Sequence, residues 1–252
     1  MLKTFHIFFD KKRNARYNAL KGQSDKVKGD SAIMKEKNYK RLGKKIFIYC
    51  LGLFTVALGV SFSVKSDLGV SPVNSIPYVI SLFSGIEQGR CVTVIFICFI
   101  GLQFVISPKT FSFKNLLQII GSTVFGYFVT AANMLTVGIP ACTNYLMRLL
   151  YLFVSMVLIA IGVSLYMKPA LLPLPAEGIM QALVDRFGIR FPNAKSGVDT
   201  TMVVIATILS FVVFGKLNGV REGTVIAALG IGQLVKIWNK VAGDKLTNFL
   251  KK

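Results

Sequence analysis

The segment Ala57-Leu58-Gly59-Val60-Ser61, followed by Lys65, returns as Ala160-Ile161-Gly162-Val163-Ser164, followed by Lys168, at a constant offset of 103. At that offset Pro72 falls on Pro175, Ile76 on Ile179 and Gly85-Ile86 on Gly188-Ile189. After a five-residue insertion the offset becomes 108, setting Gly89 against Gly197 and the apolar run 91–106 against 199–214. Agreement over this many positions reads as a duplicated unit, with repeat one over 46–137 and repeat two over 143–241. Each copy is expected to form a long helix, a short helix and two further long helices.

The long helices follow from uncharged runs at 46–64, 91–108, 115–147, 149–167 and 200–215, lengths that suit membrane spans. The run 115–147 is long enough for one span plus a loop, and Gly138 with Pro140 supplies the break. Composition agrees: 53% of the 252 residues are hydrophobic, 16% are charged, and mean hydropathy is +0.60. A soluble chain would carry roughly a quarter charged residues. The fold class is therefore all-α, a polytopic membrane helix bundle.

The short helix has the same start signal in both copies. Ser71-Pro72-Val73-Asn74 places Ser at the N-cap, Pro at N1 and Asn at N3, and Leu174-Pro175-Ala176-Glu177 places Pro at N1 and Glu at N3. From there to Gly85 or Gly188 is about 20 Å of helix, against an apolar layer of about 30 Å. Such helices are too short to cross comfortably, so they read as re-entrant half-helices or as short spans sheltered by protein. The first option gives six spans and an inverted repeat; the second gives eight spans and a parallel repeat. Basic residues are divided almost evenly among the loops and do not decide, so helix length favours six.

Net charge is +19, from 30 Lys and Arg against 11 acids. In a soluble protein that balance would point to nucleic acid. Here residues 1–45 hold 14 Lys and Arg against four acids, and the last 17 residues add five Lys against Asp244 alone. The charge becomes an orientation signal that places both termini on the cytoplasmic side, with no nucleic-acid partner. Segment 1–45 reads as a basic, disordered arm and 242–252 as a basic tail, flanking a membrane domain over 46–241. The apolar stretch near Ile7 is too short for a signal peptide. Met34 opens a short basic leader into the first span, and initiation there would leave a net charge of +14.

Cys50, Cys91, Cys98 and Cys142 have no paired short spacing and read as packing residues. The single histidine, His6, lies in the basic arm, so His-based metal and Ser-His-Asp chemistry within the membrane domain is excluded. No nucleophile, base and orienting group assemble by motif, so no enzymatic activity, cofactor or metal is expected.

Charges inside a membrane domain are expensive and mark candidate sites, although those near helix ends can reach the interface. Two half-helix starts facing a shared cavity would bind a small polar or anionic substrate through free N–H groups. The substrate-binding candidates are Lys65, Ser71, Pro72, Asn74, Lys168, Pro175, Glu177, Arg221, Glu222 and Thr224. Local readings compete. Glu177 at N3 can reach back to its own N-cap, and Ser196-Gly197-Val198-Asp199 is a second capping-box pattern that makes Asp199 a cap. Arg221 is unfavourable at a helix start, which hints at an anionic partner. Small residues at Gly223, Ala227, Ala228, Gly230 and Gly232 place the last helix centrally in the bundle. The function these features predict is a secondary transporter or permease with a polar site between the repeats. The alternative is a non-transporting accessory protein whose basic arm binds anionic lipid or a cytoplasmic partner.

Leu68-Gly69-Val70-Ser71-Pro72, Pro175-Ala176-Glu177-Gly178-Ile179-Met180 and Gly219-Val220-Arg221-Glu222-Gly223-Thr224 with Ala228-Leu229-Gly230-Ile231-Gly232 resemble the YczE/YyaS/YitT-type bacterial membrane proteins. The likeness covers about 46–240 and implies a bacterial cytoplasmic-membrane protein, for which transport is often presumed. The sequence departs from the usual pattern at Asn74, where an acid is common, and at Arg221-Glu222, where small or apolar residues are common.

Overall fold

The computed structural model describes residues 39 and 41–251. His6, the Met34 start and most of the basic arm lie outside the described residues. Among the described residues nine helices follow in order. They are α1 (Arg41–Ser66), α2 (Pro72–Ser84), α3 (Gln88–Ile106), α4 (Phe113–Leu116), α5 (Gln118–Leu135), α6 (Tyr145–Met167), α7 (Pro175–Phe187), α8 (Phe191–Phe214) and α9 (Glu222–Lys251). Among the described residues six helical segments are long and apolar enough to cross a membrane: α1, α3, α4 with α5, α6, α8 and α9 to Gly243. The break after α5 falls where Gly138 and Pro140 interrupt the long uncharged run.

Helices α2 and α7 are each 13 residues long. Each begins with proline, which needs no helical N–H partner at that position, and each stops at a glycine in the left-handed region. Gly85 has φ 69° and donates its N–H to Ser81 O; Gly188 has φ 67° and donates to Val184 O. Their length is fixed by these two signals rather than by exhaustion of apolar residues.

Helix directions settle the number of crossings. Helices α1 and α5 run parallel, since Tyr49 OH abuts Gly121 while Ser61, further along α1, bonds Ala132 O and Thr136. Helices α1 and α6 run antiparallel, with Gly52 against Gly162 and Tyr166, and Gly59 against Ser155 and Ile159. Helices α3 and α5 are antiparallel, through Gly89 with Gly126 and Gln103 with Gln118. Helices α6 and α9 are parallel, through Leu152 with Gly223, Met156 with Gly230 and Lys168 with Gly243. If α2 and α7 crossed, α1 and α5 would be antiparallel, and α1 and α6 parallel. The eight-span alternative is therefore wrong, and six crossings place the start of α1 and the end of α9 on one face, called here the terminal face.

Each short helix packs on the other half of the chain, α2 against α8 and α7 against α3. The main core lies among these helices, α1 and α5, with Leu53, Val56, Val79, Phe96, Phe125, Ile179 and Met202 buried together.

Two sequence expectations are corrected. Helix α8 begins at Phe191 with Pro192 in its first turn, so Asp199 lies inside the helix and caps nothing. Helix α9 is peripheral, with only 6% of its membrane-length segment buried against 56% for α1. Its small residues serve mainly α6, with Gly223 also against Leu68 in the chain between α1 and α2. Gly223 and Gly230 pack on Leu152 and Met156, and Gly232 meets nothing within 4 Å. The helix continues through the basic tail to Lys251.

Candidate functional site

The chain between α1 and α2 is heavily buried and is held by the chain between α8 and α9. Val70 N donates to Gly219 O at 3.1 Å and Gly223 N to Leu68 O at 2.8 Å. Gly69 has φ 99° and sits directly on Thr224 Oγ1 and Arg221 N, a contact that leaves no room for a side chain. Thr224 is wholly buried, and its hydroxyl accepts from Arg221 N at 3.4 Å. Ser71 is the N-cap, but its hydroxyl accepts from Asn74 Nδ2 at 2.9 Å instead of capping the backbone. Asn74 is 5% exposed and its Oδ1 has no partner.

Above this start lies a cluster the sequence did not assemble. Asp67, at φ 52°, accepts from Arg148 Nη1 at 2.7 Å and faces Arg221 Nη1 at 3.5 Å. Arg221 Nη1 also donates to Asp67 O at 2.8 Å, and its Nε lies 3.5 Å from Glu222 Oε2. The cation at the start of α9 is thus answered by Asp67 and Glu222 from within the chain. Lys65 Nζ donates to Ile139 O at 3.4 Å, which ties the end of α1 to the α5–α6 loop.

The start of α7 is built differently. Glu177 makes no capping bond; its Oε1 accepts from Tyr166 OH on α6. The Tyr166 ring meets Tyr49 of α1 edge-on, with centroids 6.3 Å apart. From α8, Lys195 and Asp199 lie close enough for their charges to act on Glu177, and they pair with each other at 2.7 Å. Glu177 Oε2, Asp199 Oδ1 and Tyr49 OH are all enclosed and without a hydrogen-bond partner. Such orphans are rare in membrane-embedded protein because each one costs free energy. Lys168 turns away, to Gly243 O at 3.3 Å and Thr247 Oγ1 at 3.2 Å, and anchors the extended end of α9.

Beside α7, and not lined by Glu177, is a cavity of about 260 Å³ between the two halves. Gln103, Asn115 and Gln118 form its floor, Lys114 lines it from the first half, and Gln181 and Asp185 line it from the second. Gln103 and Gln118 exchange amide hydrogen bonds at 3.0 and 3.4 Å. Gln103 Nε2 also donates to Pro175 O at 3.1 Å, and its Oε1 accepts from Asn115 Nδ2 at 3.0 Å. This network fixes the first turn of α7 against α3 and α5.

None of the ten expected site residues lines this cavity. Helices α1 and α6 are antiparallel, so the loops that lead into α2 and α7 emerge at opposite faces. The start of α2 is closed by Leu68, Val70 and Val220, and that of α7 by Tyr166 and Gln103. The amide floor was missed because glutamines at 103 and 118 belong to different helices, and their only sequence signal is polarity inside apolar runs. Among the described residues no group of three or more His, Cys, Asp or Glu side chains is placed to hold a metal ion.

Six crossing helices with two short proline-started helices packed between them define a polytopic membrane protein. Residues 43–240 match a family of unknown function, DUF6198, and the chain belongs to that family. It is 22% identical over 189 residues to the "Uncharacterized membrane protein YczE" of Bacillus subtilis (strain 168), covering 75% of this chain and 82% of that one. No solved structure matches.

Proposed function

We propose that this protein is a secondary transporter of small polar molecules in the bacterial cytoplasmic membrane, non-enzymatic, with both termini in the cytoplasm. The observation that carries the reading is the cavity between the halves. Amides of both donor and acceptor character form its floor, and Lys114 and Asp185 bring opposite charges to it from opposite halves. Such a lining suits a small molecule with opposite charges and hydrogen-bonding groups, as in an amino acid or a related zwitterion.

The arrangement of the halves supports the mechanism. Gly59 faces Ser155 and Ile159, while Gly162 faces Gly52 and Val56, and these partners are themselves related by the offset of 103. Reciprocal contacts of this kind are what a two-fold relation between duplicated units produces. Because α1 and α6 are antiparallel, the axis would lie in the membrane plane, as in inverted-repeat transporters that rock one half against the other. The cavity then corresponds to access from the terminal face, and the packed core around Ile76, Val79 and Met202 to the closed side.

That packed centre also favours a second reading, an accessory protein without a transport path. A thermal-shift screen of purified protein against amino acids, sulfur compounds, nucleobases and organic anions separates the two. A ligand that raises the unfolding temperature of the wild type but not of Lys114→Ala or Asp185→Ala supports transport, since binding to the native state stabilises by mass action. Stabilisation by anionic lipid alone supports the accessory role.

A further inference from the structure

We infer that Glu177 is a proton-binding site whose occupancy is tied to the position of α7. The site is contributed by four helices. Glu177 comes from α7, Tyr166 from α6, Tyr49 from α1, and Lys195 with Asp199 from α8. Helix α3, the remaining neighbour of α7, contributes the neutral Gln103.

Charge counting gives the ligand. Lys195 is matched by Asp199 at 2.7 Å, so the ionised Glu177 is a surplus negative charge. The dipole of α7 favours that anion, yet only one of its two oxygens has a side-chain donor. Asp199, 6% exposed, and Tyr49, 7% exposed, each leave an oxygen without a partner, and neither enclosed atom is bonded to Glu177 Oε2. An isolated charge in this setting is costly, and a single positive charge removes the surplus. A metal ion would need several anionic or carbonyl ligands, whereas the site offers two carboxylates, one already occupied by an ammonium group. A proton needs only Oε2. The step forms one O–H bond with a proton from the aqueous phase, and the half-exposed Lys195 side chain marks the way in.

The same turn of α7 separates this site from the cavity. Glu177 faces Tyr166, and the next residue, Gly178, lies on the Gln103 amide. Withdrawal of α7 from α6 and α8 would hydrate Glu177 and release the proton while remaking the cavity wall. A role in coupling rests on the transport reading, but the proton site does not.

Difference infrared spectroscopy of the purified protein in lipid nanodiscs, titrated with acid and base and without any substrate, tests the site alone. The expected result is a carboxylic-acid carbonyl band that persists at neutral pH and disappears in alkali. It should be absent in Glu177→Gln, retained in Asp199→Asn, and unchanged when sodium replaces potassium. Tyr166→Phe, which removes the donor to Oε1, should keep the band but shift its frequency and titration midpoint. Absence of the band in the wild type, or its survival in Glu177→Gln, overturns the assignment. So does its loss in a folded Asp199→Asn protein, or displacement by sodium. A ligand screen that finds nothing while the band behaves as expected would count against transport and leave the proton site standing.

Discussion

Adding one methyl group at Gly162 tests the crossing of α1 and α6. A Cβ there would meet Val56 N at 2.6 Å and Gly52 O at 2.7 Å, both backbone atoms of α1. Neither can swing aside, so the two helices must part. Overpacking of this kind costs about 1–3 kcal/mol, and contact with backbone puts it towards the upper end. Replacing glycine by alanine within a helix returns about 1 kcal/mol. Gly162→Ala should therefore lose roughly 1–2 kcal/mol net. At about 2–4 °C per kcal/mol for a chain of this size, the unfolding temperature should fall by roughly 2–8 °C. Gly232→Ala is the control, because nothing lies within 4 Å of its new methyl, and it should be neutral or stabilising. Gly52→Ala meets Tyr166 N and Gly162 O across the same crossing, so the double variant should cost less than the two single costs combined. The measurement is thermal unfolding of purified protein in one detergent, followed by size-exclusion chromatography of the heated samples. A Gly162→Ala protein as stable as Gly232→Ala would refute the close approach.

Replacing Gln103 by leucine leaves Gln118, Asn115 and Pro175 O short of partners, and should cost about 1–3 kcal/mol per buried group left unpaired, read as a lower unfolding temperature. Gln103→Glu should lie between that variant and the wild type, since it keeps the acceptor to Asn115. The Asp67 side chain is largely exposed, so Asp67→Asn should cost less than about 1 kcal/mol and its effect should shrink in high salt. Lys168→Ala frees the end of α9 from its anchor at Gly243 and Thr247, and limited trypsin digestion should cut after Lys240 or Lys245 faster than in the wild type while unfolding temperature changes little.

The architecture was legible where a local signal and its spacing agreed. Proline at N1 with glycine 13 residues later gave α2 and α7 their bounds, and uncharged runs of membrane length gave the spans. The start of α8 was not legible, because Arg190-Phe191-Pro192 resembles a loop and the capping pattern at Ser196 offered a competing start. Small residues in α9 predicted close packing correctly at Gly223 and Gly230, but they say nothing of how many neighbours a helix has. Glu177 was visible as a charge in an apolar setting, and its partners were not. Tyr49, Tyr166 and Asp199 come from three other helices, and only the chain directions bring them together.

Six crossings, with α2 and α7 entering from opposite faces, underlie both the cavity between the halves and the proton site. With the four native cysteines replaced, single cysteines at Thr110 in the α3–α4 loop and at Thr143 in the α5–α6 loop can be labelled in intact cells with a membrane-impermeant maleimide. Alongside them, a C-terminal tag reports the terminal face. The structure predicts that position 110 is reached from the same side as the tag and position 143 from the opposite side. Labelling of 143 from the side of the tag, with 110 opposite, would mean that the short helices cross and would contradict the account.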